Sequence, residues 1–207
     1  MKEHEINSMG MFILGWYGDP VNADSLVEIY NNTEIKTIAP VGYSGNRVVD
    51  KSMKDSSDVS LGPEFLNDSL YGAHIRECVR LYSEKYTFSK VNGVFPAEGV
   101  NIQKYPIGGG FKVWHHERME PVFPEIARHF VFMTYLNDVP DGGTEFYHQG
   151  IKIRADKGLT LIWPADWTYT HRGEVSHTKE KIIATGWLHL LESERKHENR
   201  NLLGRPS

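Results

Sequence analysis

Residues 105–118 read YPIGGGFKVWHHER, and the reading of this stretch decides the fold. Three consecutive glycines follow Tyr105 and Pro106, and an alternating run from Phe111 then ends in two histidines and a glutamate. In a strand, side chains two residues apart share a face, so His115 and Glu117 project together while His116 points the other way. An imidazole and a carboxylate on one face are two metal ligands. The competing reading is a solvated strand face that happens to hold one of the chain's ten histidines.

The surroundings weigh on that choice. From about residue 98 onward, short segments rich in Val, Ile, Thr, Tyr, Phe and Trp alternate with glycine and aspartate: VNIQKY, FKVWHHE, RHFVFMTYLND, GTEFYHQ, IKIRA, GLTLIWP, TYTHRG and KIIATGWLHL. These predict about eight antiparallel strands in a sandwich or barrel, with VPDGG and HQG as tight turns. His171, near the end of one such strand, is a third candidate ligand. Two histidines and one carboxylate on one face of an octahedral ion leave the other positions open, which is the facial triad of non-heme ferrous oxygenases. Lys181 opens the apolar run KIIATGWLHL and can point into the same cavity, where an anionic ligand would supply the partner that a buried ammonium needs. Alternatively, Lys181 sits at the rim and extends the charged turn TKEK.

The first half is mixed. MGMFILGWYG predicts a strand, and DPVNADSLVEIYNN a short helix capped by Asn22, with Ser25 and Glu28 at capping-box spacing and Leu26, Ile29 and Tyr30 on one apolar face. A longer helix is predicted after Gly62-Pro63, with Tyr71, Ile75, Cys78, Val79, Tyr82 and Tyr86 recurring as a stripe that packs on a sheet. Between them, YSGNRVVDKSMKDSSDVSLG reads as a long polar surface loop, and residues 44 to 60 as a mobile segment able to close over the mouth of the site.

Composition narrows the class. With 207 residues, of which 40% are hydrophobic, the chain can bury a full core. We expect a single domain over 1–207: N-terminal strands and supporting helices over 1–97, a β core over 98–190 and a polar tail over 191–207. A net charge of −4 argues against a nucleic-acid partner. The lone Cys78 excludes an internal disulfide framework and fits a reducing, cytoplasmic setting. The apolar run near the N-terminus is too short for a membrane span and its flanks are unlike those of a signal peptide. Glycosylation-type triplets at Asn31 and Asn67 then read as chance matches.

From about 99 to 190 the sequence resembles the iron(II)- and 2-oxoglutarate-dependent dioxygenases, in their prolyl 4-hydroxylase-like branch. The resemblance is carried in order by YPIGGGFKVWHHE, YLNDVPDGGTEF, KGLTLIWP and HRGEVSHTKEKIIATGW. It implies a mainly β protein with supporting helices around a double-stranded β-helix, the jelly-roll or cupin-like core. It implies that His115, Glu117 and His171 ligate Fe(2+), and that Lys181 pairs with the distal carboxylate of 2-oxoglutarate, with the hydroxyls of Tyr135 and Thr185 as hydrogen-bond partners. Tyr105 matches a tyrosine lining the cosubstrate pocket, and Trp187, on the face of Thr185, would pack beside the metal. One departure stands out: the family's usual carboxylate is aspartate, and here it is glutamate.

The activity so implied is hydroxylation of a substrate C–H bond by O2, with 2-oxoglutarate converted to succinate and CO2 and ascorbate as reductant. The branch favours a prolyl residue in a peptide or protein; a non-peptide small molecule is the alternative within the fold. Arg118 and Arg172 are expected as solvated rim residues. Jumonji-type oxygenases also permit His-x-Glu, but their cosubstrate lysine usually precedes the distal histidine, whereas Lys181 follows His171. A non-catalytic β-sandwich binding module is the remaining rival.

Overall fold

A strand with both faces apolar can sit only where both faces are covered. Such a strand is Arg128–Tyr135, the centre of the computed structural model, which describes residues 1–6, 11–38, 48–89, 95–96 and 98–190. In chain order the described strands are β1 (Lys2–His4), β2 (Leu14–Tyr17), β3 (Ser57–Leu61), β4 (Phe95–Pro96), β5 (Val100–Tyr105), β6 (Arg128–Tyr135), β7 (Val139–Phe146), β8 (Ile151–Ala155), β9 (Leu159–Pro164), β10 (His171–Gly173) and β11 (Lys181–His189). The helices are α1 (Pro20–Asn32), α2 (Pro63–Asp68) and α3 (Leu70–Lys85). None of them is long and apolar enough to cross a membrane.

Among the described residues, one sheet runs in the order β1-β2-β9-β6-β11-β5-β3, with β4 pairing to β11, and a smaller sheet runs β10-β7-β8. All pairings are antiparallel. The two faces of β6 divide the core. Phe130 and Phe132 join Leu26, Tyr30, Tyr71, Ile75, Cys78 and Tyr82 beneath the helices, whereas Val131, Met133 and Tyr135 face the smaller sheet with Phe146, Ile153, Leu161 and Trp163. This is the jelly-roll core with supporting helices that the resemblance implies, and a sandwich as the strand pattern predicts.

Several local expectations need correction. Asp19, not Asn22, caps α1: its carboxylate accepts from the Val21 N–H at 3.0 Å, and Pro20 takes the first helical position. The helix after Gly62 is two helices, broken at Ser69, whose hydroxyl caps α3 by accepting from the Gly72 N–H at 2.9 Å. The polar loop contains β3, paired along its length to β5, so residues 57–60 are wall and not lid. VPDGG lies inside β7, at a register shift between Val139 and Thr144, and is not a turn between strands. Residues 44–47, residues 9–10 of the expected first strand and the tail 191–207 lie outside the described residues.

The most consequential correction concerns FKVWHHE. It is not a ladder strand; only Phe111 and His115 make bridges, to Lys54 and His171. The segment is stitched from both sides instead. Lys112 donates its N–H to the Met53 carbonyl (2.8 Å), and Phe111 O accepts from Gly173 N–H (2.9 Å). Upstream, Gly108 turns the chain at φ +79°, a left-handed value that suits glycine.

Candidate active site

Two predicted ligands face each other across the gap between the sheets. His115 and His171 exchange both backbone hydrogen bonds, at 3.0 and 2.9 Å, so their side chains leave the backbone as a cross-strand pair. Each imidazole is then aimed by its own Nδ1–H: His115 donates to the Val113 carbonyl and His171 to the Tyr169 carbonyl, both at 2.9 Å. With Nδ1 protonated, each Nε2 presents a lone pair, the form in which histidine binds metals. Phe111 stacks on the His115 ring at 3.7 Å, and Trp163 meets His171 edge-on at 5.1 Å.

Glu117 completes the cluster. Its Oε1 lies 3.8 Å from His115 Nε2 and 3.4 Å from His171 Nε2. One donor atom from each of the three residues falls within 4.8 Å of the others, so the group could hold a metal ion. Burial, and then the neighbouring His171, depress His115 to about 3, which keeps it neutral. Burial alone would raise the Glu117 carboxyl, but His171 at 3.4 Å, with His115 and the Arg128 guanidinium beside it, outweighs burial and holds it at about 2. Two imidazoles and one carboxylate are the donor set expected of a site for a divalent first-row metal.

The cluster lines a cavity of about 420 Å³, and Lys181 stands in its wall. Lys181 is 4% exposed, and its ammonium donates to the Glu174 carbonyl at 2.7 Å. Among the described residues it forms no ion pair with a carboxylate. Burial pulls its pKa down to about 8, against the opposing charges of Glu174 and Asp141. A Cβ on Gly173 would sit 3.3 Å from this nitrogen, so the glycine leaves the ammonium its room. The rim alternative for Lys181 is thereby removed.

The remaining expected residues distribute along the cavity. Tyr105 is the β5 partner of Lys181; its ring lies 5.5 Å from the ammonium, and its hydroxyl donates to Gln103 Oε1 at 2.6 Å. Tyr135 shares a 2.7 Å hydroxyl–hydroxyl hydrogen bond with Thr144, which pairs with Gly173 beside the ammonium. Thr185 differs from expectation. It stands four residues along β11 from Lys181, roughly 13 Å away at strand rise, and donates its hydroxyl to the Phe132 carbonyl at 3.0 Å. Thr144 supplies the hydroxyl at the Lys181 end in its place. Trp187 lies beside Glu117 and donates its indole N–H to Oε2 at 2.7 Å. Arg118 and Arg172 are engaged outside, with Asp166 at 3.2 Å and Glu145 at 2.7 Å.

Two groups escape the sequence reading. Lys54 and Asp58 form a buried ion pair of 2.9 Å in the cavity wall, extended by Ser56 and Gln103. Arg128 grips Glu98 through two hydrogen bonds of 2.7 and 2.6 Å. The second had a signal: Arg128, like Lys181, is a cation opening an apolar strand.

Comparison with known proteins agrees with this geometry. The profile of the 2OG-Fe(II) oxygenase superfamily matches residues 100–189. No curated protein matches the sequence significantly. Among solved structures, the chain is similar to the viral collagen prolyl hydroxylase of Paramecium bursaria Chlorella virus-1 in its 2OG complex, at 17% identity over 88% of this chain and 98% of that one, with a TM-score of 0.65. A Pseudomonas putida prolyl-4-hydroxylase matches at 12% identity over 88% and 95%, with a TM-score of 0.60. A Trichoplax adhaerens prolyl hydroxylase, in complex with a hypoxia inducible factor oxygen degradation domain peptide fragment, matches at 13% over 95% and 89%, with a TM-score of 0.63. At these identities the likeness to solved structures is one of fold, and the profile supplies the family. Residues 100–189, which carry His115, Glu117, His171 and Lys181, therefore form a 2OG-Fe(II) oxygenase domain in a prolyl 4-hydroxylase-like fold.

Proposed function

We propose that this enzyme hydroxylates a prolyl residue in a peptide or protein, using His115, Glu117 and His171 as iron ligands and Lys181 as the partner of the distal carboxylate of 2-oxoglutarate. The observation that carries the reading is the Lys181 ammonium, buried in the cavity wall with a backbone carbonyl as its hydrogen-bond partner. A buried cation without a counter-charge is costly, and a dicarboxylate entering the cavity supplies one. When bound, iron and 2-oxoglutarate supply the oxidising power, so that one oxygen atom of O2 enters the substrate C–H bond and the other leaves in succinate as CO2 is released.

The chain's residues prepare for this. The two Nδ1 hydrogen bonds hold both imidazoles in the ligating tautomer before metal arrives. Tyr105, Tyr135 and Thr144 surround the ammonium end of the cavity, where they would bind and orient a cosubstrate carboxylate. Phe111, Val131, Met133 and Trp163 give the centre apolar walls that exclude water. The peptide assignment is supported by likeness over most of the chain to prolyl hydroxylases, one named for collagen and one held with a peptide fragment. Ascorbate as the reductant is carried by the same family reading.

The test is succinate formation from 2-oxoglutarate by anaerobically purified protein with ferrous iron and ascorbate, compared with His171→Ala. Turnover is expected in the wild type and lost in the variant. Proline-containing peptides should then raise turnover and gain the mass of one oxygen. Stimulation by small molecules alone would overturn the peptide assignment.

A further inference from the structure

Glu117 has two carboxylate oxygens, and only Oε1 faces the imidazoles. Oε2 accepts the Trp187 indole N–H at 2.7 Å and lies 3.8 Å from the Arg128 guanidinium. Arg128 is stacked on Trp187, 3.8 Å from the ring centre. The guanidinium is itself held: Nε and Nη2 donate to the two oxygens of Glu98, and Nη1 donates to the Glu117 main-chain carbonyl at 2.9 Å. His189, fully buried, closes the far side at 2.7 Å from Glu98 Oε1.

We propose that Trp187, braced by Arg128 and Glu98, is a positioning residue that reserves Oε2 of Glu117 and so fixes this carboxylate as a one-oxygen metal ligand. The proposal rests on His115, Glu117 and His171 being the metal site. Its physical basis is the longer side chain. Glutamate has one more rotatable bond than aspartate, and a freely swivelling carboxylate can offer both oxygens to a divalent cation. A second oxygen would occupy a position that the facial triad leaves open for reactants. Indole N–H is a donor with no acceptor capacity, and in this partly buried setting Oε2 is the acceptor it holds. The stacked guanidinium fixes the indole plane and adds a positive charge on the same side. The unit spans the start of β6, the end of β11 and the residue preceding Gly99 and β5, so it is anchored in the large sheet and independent of the loop after Glu117.

The test is a double-mutant cycle read by anaerobic cobalt(II) titration, with dissociation constant and visible absorption as readouts. Trp187→Phe keeps the ring beneath Arg128 and removes the N–H. It is expected to weaken cobalt binding roughly tenfold, the usual scale for an outer hydrogen bond to a ligand, and to change the visible absorption as the second carboxylate oxygen replaces another ligand on the ion. In a Glu117→Asp background, whose shorter carboxylate does not reach the indole, the same change should have little effect. An equal loss in both backgrounds overturns the proposal, as does an unchanged constant and spectrum in Trp187→Phe. Should that variant fold poorly, Glu98→Gln loosens the guanidinium without touching ring or ligand; it should weaken cobalt binding several-fold in the wild type and less in Glu117→Asp, and no loss overturns the proposal. His171→Ala separates the two readings. Its failure to reduce cobalt binding means that the metal site itself lies elsewhere, and the positioning role falls with it.

Discussion

At the scale of single residues, Lys181 in its proposed role should set a pH limit on 2-oxoglutarate binding. Its pKa stands at about 8 in the ligand-free fold, against an ordinary 10.5. Between these values the unfolded chain binds the extra proton, so this group makes folding more favourable as pH rises through that window. Cosubstrate binding follows the opposite course, because only the ammonium pairs with a carboxylate. Affinity for 2-oxoglutarate should fall by up to about tenfold per pH unit above 8, with proton uptake on binding, as calorimetry in buffers of different ionisation enthalpy would detect. Lys181→Met should abolish 2-oxoglutarate binding and leave manganese binding intact; retained affinity would show that another residue holds the carboxylate. This residue was legible in the sequence because a cation opening an apolar strand needs a reason. Thr185 lies farther from Lys181 than expected because sharing a face does not mean sharing an end, and four residues along a strand separate groups by roughly 13 Å.

Among the elements, β3 carries the largest surprise. DSSDVS looked like solvated loop because its polar residues are dense, yet Asp58 is 4% and Lys54 5% exposed. The polar groups satisfy one another across β3 and β5, a pairing that no local pattern announces. Asp58→Asn leaves the Lys54 charge buried without its partner and should cost about 3–5 kcal/mol in urea unfolding. Changing both residues, Lys54→Met with Asp58→Asn, should recover part of that loss, since the penalty comes from the orphaned charge. Elsewhere the alternating run in β8 and the apolar, β-branched and aromatic runs in β5, β6, β9 and β11 were read directly, because such runs bounded by turn residues favour strands. The 111–117 segment misled for an instructive reason: it alternates like a strand, but its hydrogen bonds go to the turn around Met53 and to residues 165–173. His115 and Glu117 still turn toward one another because an extended backbone projects alternate side chains to one side whether or not it belongs to a ladder. Helix boundaries failed where capping chemistry was ambiguous, with Asp19 and Ser69 taking roles that spacing alone had given to Asn22 or left unassigned.

For the molecule as a whole, ligand and fold should be coupled. The three proposed metal ligands come from a connecting segment and the small sheet, and Lys181 from the large one, so a metal with its cosubstrate ties together parts that otherwise meet through packing. At a hundredfold excess over the dissociation constant, ligand adds about 2.7 kcal/mol to stability. For a chain of this length each kcal/mol moves the midpoint by roughly 2–4 °C. Manganese with 2-oxoglutarate should therefore raise Tm by about 5–10 °C, and Lys181→Met should retain only the manganese share. An unchanged Tm at saturating ligand would show that neither binds the folded chain. The mutual backbone hydrogen bonds of His115 and His171 add a last consequence. The separation of the two imidazoles is a property of one rung of paired main chain, like the fixed jaw of a caliper, and does not depend on how many residues connect them. Surface segments between 118 and 170 are thus free to lengthen, shorten or be exchanged for others that choose a different substrate, while the bite of the two histidines stays constant.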